Sequence, residues 1–159
     1  MFSKTTVLKK ISSLKDVSEF YKYLSGSYSY EVRKQRRKEF KEQFKKDPDI
    51  IQALWEKFNM YVALEYATRG NPYFNNLEVA MKLLTCDEGI RYVPSKLRKK
   101  EEVMKKYLDR CMTHGFNPEG IIKYVKPNCP HLLENAKWKK YVKTWAKNRP
   151  IPINSSINF

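Results

Sequence analysis

The stretch Arg33-Lys34-Gln35-Arg36-Arg37-Lys38-Glu39-Phe40-Lys41-Glu42-Gln43-Phe44-Lys45-Lys46-Asp47-Pro48 decides how the chain folds. Eight of its residues are basic (Arg33, Lys34, Arg36, Arg37, Lys38, Lys41, Lys45 and Lys46), and only Glu39 and Glu42 oppose them before Asp47. Val32, Phe40 and Phe44 stand at multiples of four, so the segment reads as one helix, about 29 to 46, with a narrow buried seam and a broad cationic face. Asp47 is a good N-cap and Pro48 suits the first helical position, where its missing N–H costs nothing, so a new helix restarts there. Ile50, Ile51, Leu54, Trp55, Phe58, Tyr61, Val62 and Glu65 keep three-to-four-residue spacing. That pattern predicts a continuous helix over about 48 to 67.

On the N-terminal side, Val17, Phe20, Tyr21 and Leu24 share a helical face that stops at Ser25-Gly26-Ser27, and Ser13 with Asp16 resembles a capping box; this predicts a helix over about 13 to 24. Residues 1–12 hold Lys4, Lys9 and Lys10 with several hydroxyl residues, and no acid appears before Asp16. A basic, amphipathic, acid-free segment is what a mitochondrial import signal requires, and no clear cleavage site follows it, so a retained signal is expected. Its apolar run is too short for a secretory signal or a membrane span.

Beyond Arg69-Gly70-Asn71-Pro72, the pair Asn75 and Glu78 opens a short helix to about Cys86 over Leu77, Ala80, Met81, Leu83 and Leu84. Ile90 to Pro94 reads as a connecting loop. A long helix starts at Ser95 and keeps Leu97, Met104, Tyr107, Leu108 and Cys111 on one face until His114-Gly115. Asn117-Pro118 starts a brief helix over Ile121, Ile122 and Val125, and Pro127 and Pro130 interrupt the chain. A last helix, about 131 to 147, aligns Trp138, Tyr141, Val142 and Trp145. Residues 148–159, with Arg149-Pro150-Ile151-Pro152, form an extended arm suited to lying along a partner. The expectation is an all-α, single-domain bundle of about five to seven helices with an extended C-terminal arm.

Charge bounds the function. The 159 residues carry 32 basic and 17 acidic side chains, a net +15, which attracts polyanions, acidic protein surfaces or anionic lipid headgroups and says nothing about fold. The charge falls in blocks of +8 over residues 1–46, −3 over 47–94 and +10 over 95–159. Lysine outnumbers arginine by 24 to 8, as an A/T-rich coding bias would also produce. Three irregularly spaced cysteines, Cys86, Cys111 and Cys129, do not make a secreted disulfide framework, which fits a reducing or mitochondrial interior.

Phe20-Tyr21-Lys22 followed by Leu24, then Arg36-Arg37 with Phe40 or Phe44 and adjacent lysines, then Asp47-Pro48 before an apolar helix, resembles the LYR-motif family of small mitochondrial proteins. Phe20 stands where that motif carries leucine and Lys22 where it carries arginine. The resemblance covers residues 13–66. It implies a basic three-helix protein serving as an accessory subunit or assembly factor, commonly docking an acyl carrier protein, with Tyr21, Lys22, Arg36, Arg37, Phe40 and Lys41 at the matching positions.

Other chemistry is thinner. Cys111, His114, Cys129 and His131 hold the ligand inventory of a structural zinc site, but the Cys129-x-His131 half is tight and Cys111 completes an apolar stripe. A buried thiol with a surface histidine is the better reading. No Gly-rich phosphate loop and no oriented nucleophile is present, so the sequence names neither a cofactor nor a reaction. Asp47 with Asp49, and Asp87 with Glu88, sit where capping or loops explain them. The lysines of the C-terminal half interleave with Tyr107, Tyr124, Trp138, Tyr141 and Trp145, a mixture able to meet phosphates and stack on unpaired bases. Those aromatics fall on the stripes read as buried, however, whereas stacking needs them exposed.

The sequence therefore supports a non-catalytic subunit of a mitochondrial assembly, first a respiratory-chain complex, on the matrix side or peripheral to the inner membrane. Tyr21, Lys22, Arg33, Arg36, Arg37, Phe40, Lys41, Lys99, Lys100 and Arg149 are its candidate partner-binding residues. The alternative is an RNA-contacting protein of the mitochondrial ribosome.

Overall fold

The structure, a computed structural model, describes residues 1–148. The expected arm, with Arg149, lies outside the described residues. The described chain is all α, with ten α-helices and three short 3₁₀ turns and no strand among the described residues. It divides into two compact units, Met1–Asn76 and a second that begins at Leu77.

The first unit holds α1 (Lys4–Ser13), α2 (Val17–Ser25), α3 (Tyr30–Phe44), α4 (Pro48–Lys57) and α5 (Met60–Tyr66). Its boundaries follow side-chain caps. Asp47 accepts from the Asp49 and Ile50 amides at 2.9 and 3.2 Å, with Pro48 at the first helical position, as the sequence indicated. The helix expected from 13 starts only at Val17, because Leu14 is extended and Asp16, not Ser13, caps α2. Asp16 accepts from the Glu19 amide at 2.9 Å and Glu19 accepts from the Lys15 amide at 2.7 Å, whereas the Ser13 hydroxyl donates to the Lys10 carbonyl. The expected helix over 48 to 67 also breaks. Phe58 leaves helical geometry and Asn59 starts α5 by accepting from the Val62 amide at 3.0 Å.

An aromatic cluster is the heart of this unit. The Phe40 ring meets the rings of Phe2, Phe20, Phe44 and Tyr66 at centroid distances of 5.3, 5.7, 5.0 and 5.3 Å, in the edge-to-face and tilted geometries that aromatic quadrupoles favour. Ile50, Ile51, Leu54, Val62 and Phe74 close it from α4, α5 and the turn that follows. Asn71 is the one buried amide side chain among the described residues, 2% exposed. Its amide nitrogen donates to the Lys45 and Asp47 carbonyls at 3.0 and 3.3 Å, and its oxygen accepts from the Tyr73 amide. It thereby satisfies the backbone at the α3–α4 corner. The N-terminal segment is part of this fold: Val7 and Ile11 are buried, and the Lys4 ammonium reaches Asp47 and Asp49 at 3.0 and 2.7 Å.

The second unit holds α6 (Leu77–Leu83), α7 (Ser95–Arg98), α8 (Glu101–Thr113), α9 (Pro118–Asn128) and α10 (Ala136–Lys147). The long helix expected from Ser95 is interrupted at Lys99-Lys100, where Lys100 is extended. The helix expected from 131 starts only at Ala136, after Asn135 accepts from the Trp138 amide at 2.7 Å. Leu83, Leu84, Val103, Met104, Leu108, Cys111, Ile121 and Val125 form the core. From α10 only Trp138 is fully buried among the described residues, so this helix contributes less to the core than its aromatic stripe indicated.

Candidate functional site

Helix α3 is the least buried of the long helices in the first unit. Its core seam is confined to Phe40 and Phe44, and none of the side chains from Tyr30 to Glu39 is buried. On one face, Tyr30, Lys34, Arg37, Lys38 and Lys41 recur at helical spacing, and α5 supplies Glu65 and Tyr66 opposite them. Together they line a cleft of about 470 Å³. Four cations thus face one carboxylate, and that carboxylate already accepts the Tyr21 hydroxyl at 2.6 Å.

Beside this cleft, but closed off from solvent, the Nε of Arg37 and the Tyr66 hydroxyl have no partner among the described residues, as is also true of Arg98 Nε and Arg110 Nε in the second unit. Tyr66 is 2% exposed. Burial above all pushes its hydroxyl up, the charges of Glu65 and Tyr21 add to this, and Arg37 opposes it. Tyr66 therefore keeps its proton at neutral pH and can only gain by donating it to an acceptor. The Tyr21 hydroxyl is pushed up to about 12, by burial first and then by its bond to Glu65.

The partner-binding residues read from the sequence divide into four groups. Lys22, Arg33, Lys41, Lys99 and Lys100 are exposed and stand free to meet a partner. Phe40 is fully buried, because it centres the aromatic cluster, so it serves the core and not a docking face. Arg36 is tied to its own unit: its Nε donates to the Leu24 carbonyl at 2.7 Å and its guanidinium lies over the Phe2 and Tyr28 rings. Tyr21 is half-buried against Glu65, and Arg37 lines the cleft. Tyr30, Lys34, Lys38, Glu65 and Tyr66 were missed as a site, although the α3 members form a stripe at helical spacing that the sequence displays.

The four residues of the candidate zinc set are not brought together, and among the described residues no group of three or more metal-ligating side chains forms. Cys111 and Cys129 are buried, His114 stands exposed beside Arg110 at 3.3 Å, and His131 faces Glu101 at 3.3 Å. Burial is the main force raising all three thiols, Cys111 to about 11. They are structural thiols, since reactivity belongs to the thiolate.

The second unit offers a different surface. A cleft of about 530 Å³ on α8 mixes Glu102 and Asp109 with Lys105, Lys106 and Arg110. Two of its three cations are engaged, Arg110 with Asp87 at 2.9 Å and Lys106 with the Met81 carbonyl at 2.8 Å, although the buried Arg110 Nε has no partner. Tyr107 and Trp138 are buried, while Tyr124, Tyr141 and Trp145 are half-buried. No helix among the described residues is long and apolar enough to cross a membrane. Comparison with family models, with curated proteins and with solved structures finds no match.

Proposed function

We propose that the chain is a non-catalytic accessory subunit of a large mitochondrial assembly, a respiratory-chain complex, seated against its neighbours through α3. The observation that carries this reading is the exposed outer face of α3, where Tyr30, Val32, Arg33, Lys34 and Lys38 stay out of the core. From Tyr30 to Glu39 no side chain is fully buried, and only Arg36 and Arg37 turn inward, Arg36 bonding the Leu24 carbonyl. The outer face holds Tyr30 and Val32, at 62% and 43% exposure, beside Arg33, Lys34 and Lys38. Exposed tyrosine beside arginine is the composition of interface cores, and the surrounding lysines select and orient an acidic neighbour more than they add affinity.

The resemblance of residues 13–66 to the LYR-motif family supports the same role, with an acyl carrier protein as one partner, through Lys22, Lys41 and the α3 cations. Anionic lipid headgroups at the inner membrane, approached from the matrix side, suit the same face. An RNA-contacting role in the mitochondrial ribosome is weaker, because the aromatics of the basic C-terminal half are buried or half-buried, and base stacking needs them open.

The test is gentle native purification of the tagged protein from its own cells, with and without nuclease. Co-migration with a respiratory complex, indifferent to nuclease, supports the proposal. A protein that purifies alone overturns it, as does co-sedimentation with ribosomal RNA that nuclease or added salt abolishes.

A further inference from the structure

The N-terminal segment has two uses that exclude each other. Residues 1–14 have the composition of an import signal, with Lys4, Lys9 and Lys10, several hydroxyl residues and no acid. An amphipathic helix of this kind is recognised by laying its apolar side into a groove, through anchors three, four and seven residues apart. Val7, Leu8, Ile11 and Leu14 have that spacing. In the folded protein the same side chains are already in use: α1 packs on α4, with Val7, Ile11 and Leu14 buried and Leu8 half-buried.

The segment is also fastened along its length by residues outside it. The Phe2 ring lies on Phe40 at a centroid distance of 5.3 Å and under the Arg36 guanidinium. The Phe2 amide donates to the Gln43 side-chain oxygen at 3.0 Å, and the Phe2 carbonyl accepts from the Gln43 side-chain nitrogen. Lys4 bridges Asp47 and Asp49 at the start of α4, and the Lys57 ammonium donates to the Ser12 carbonyl at 3.1 Å. Lys9 and Lys10 stay exposed on the opposite side. The folded protein thus displays the charge of the segment and hides its apolar anchors.

One apolar face cannot fill the core of the first unit and a receptor groove at the same time. Docking and recognition therefore compete, and the apparent affinity of a receptor falls by the fraction of molecules in which α1 is released. Removing the segment by cleavage would take Val7 and Ile11 out of the core and leave a cavity.

We propose that α1 is an import signal masked by the fold: it is read while the first unit is unfolded, hidden once α1 docks on α4, and kept in the mature protein as part of that unit's core. The proposal rests on the mitochondrial reading above.

The experiment is a competition for import of an unrelated reporter precursor into mitochondria isolated from the protein's own cells. The competitors are a synthetic peptide of residues 1–14, the same peptide with Val7→Ser and Ile11→Ser, the folded full chain, and the folded full chain with Gln43→Ala and Asp49→Ala. The last pair loosens docking without altering the segment. The parent peptide should compete, and the double-serine peptide, unchanged in charge, should not. The folded chain should be at least about a hundredfold weaker than the peptide. Gln43→Ala with Asp49→Ala should recover about tenfold, the scale of the hydrogen bonds and surface ion pair removed. The intact mass of the chain recovered from its own cells should still include α1.

A folded parent chain that competes as well as the peptide would overturn the masking. So would a double-serine peptide as potent as the parent peptide, because recognition would then rest on charge that the folded chain also displays. A loosened chain no stronger than the parent chain would overturn docking as the cause, and a mature chain lacking α1 would overturn its retention. A parent peptide that does not compete would overturn the signal itself, and the accessory role would then stand or fall separately, on co-migration with a respiratory complex.

Discussion

Replacing Tyr66 by phenylalanine should stabilise the first unit in the absence of any ligand. The Tyr66 ring packs on Phe40 and Phe20 at centroid distances of 5.3 and 5.8 Å, and Tyr66→Phe keeps both contacts. What it removes is a hydroxyl that is buried and unpartnered. An unsatisfied polar group of this kind costs roughly 1–3 kcal/mol in protein mutational data, and recovering part of that should raise the unfolding free energy by about 1 kcal/mol. Tyr21→Phe is the matched control. Its hydroxyl donates to Glu65 at 2.6 Å, so its removal should destabilise by up to about 1 kcal/mol, the exposure of the pair limiting the loss. Native-state amide hydrogen exchange reads the two units separately. The α3 and α5 amides should exchange about fivefold more slowly in Tyr66→Phe, the equivalent of about 1 kcal/mol, and faster in Tyr21→Phe. Faster exchange in Tyr66→Phe would show that the hydroxyl has a partner.

Other outcomes follow from individual positions. A Cβ at Gly89 would lie 1.7 Å from the Leu83 carbonyl oxygen, so Gly89→Ala must displace backbone; it should cost at least about 2 kcal/mol, with a matching drop in the thermal midpoint. Asn71→Ala strips the donor from the Lys45 and Asp47 carbonyls and should lower stability by about 2 kcal/mol, seen as lost exchange protection at the α3–α4 corner. Tyr21 and Tyr66 both have hydroxyl pKa values raised in the fold, Tyr21 to about 12. Above the ordinary tyrosine value the unfolded chain loses these protons first, so it binds fewer protons than the native state and stability falls as pH rises. The contribution of Tyr21 should be complete below about pH 10 and lost as pH climbs through about 12. Circular dichroism should therefore show an alkaline decline that is shallower in Tyr21→Phe.

Helix starts were legible wherever a cap and a proline coincided, as at Asp47-Pro48 and Asn117-Pro118, because those residues act locally. Helix breaks were not. Tyr61, Val62 and Glu65 stay in phase with Ile50 and Leu54 across the interruption at Phe58-Asn59, so periodicity alone joins α4 to α5. The only local sign was Asn59, a residue that caps well. Lys99-Lys100 carried no comparable signal, and the break there is set by tertiary structure. Phe40 was read both on the buried seam of α3 and, from its motif, as a docking residue; only the first holds, and its contacts with Phe2, Phe20 and Tyr66 are long-range facts that appear once the helices fold together. The same holds for Cys111, His114, Cys129 and His131: ligand inventory is a property of sequence, but convergence is not. The cationic stripe of α3 could be read directly. That it shares a cleft with Glu65 and Tyr66 could not, since Tyr66 lies 25 residues beyond Lys41.

The most direct measurement of the docking role is native co-migration of a tagged chain carrying Arg33→Glu, Lys34→Glu and Lys38→Glu. These side chains are exposed on α3, so circular dichroism and thermal melting should stay close to those of the parent protein. If α3 seats the protein in a respiratory assembly, the triple variant should migrate free of the complex while the parent co-migrates with it, nuclease changing neither. A folded triple variant that still enters the complex as fully as the parent would contradict α3 as the docking face.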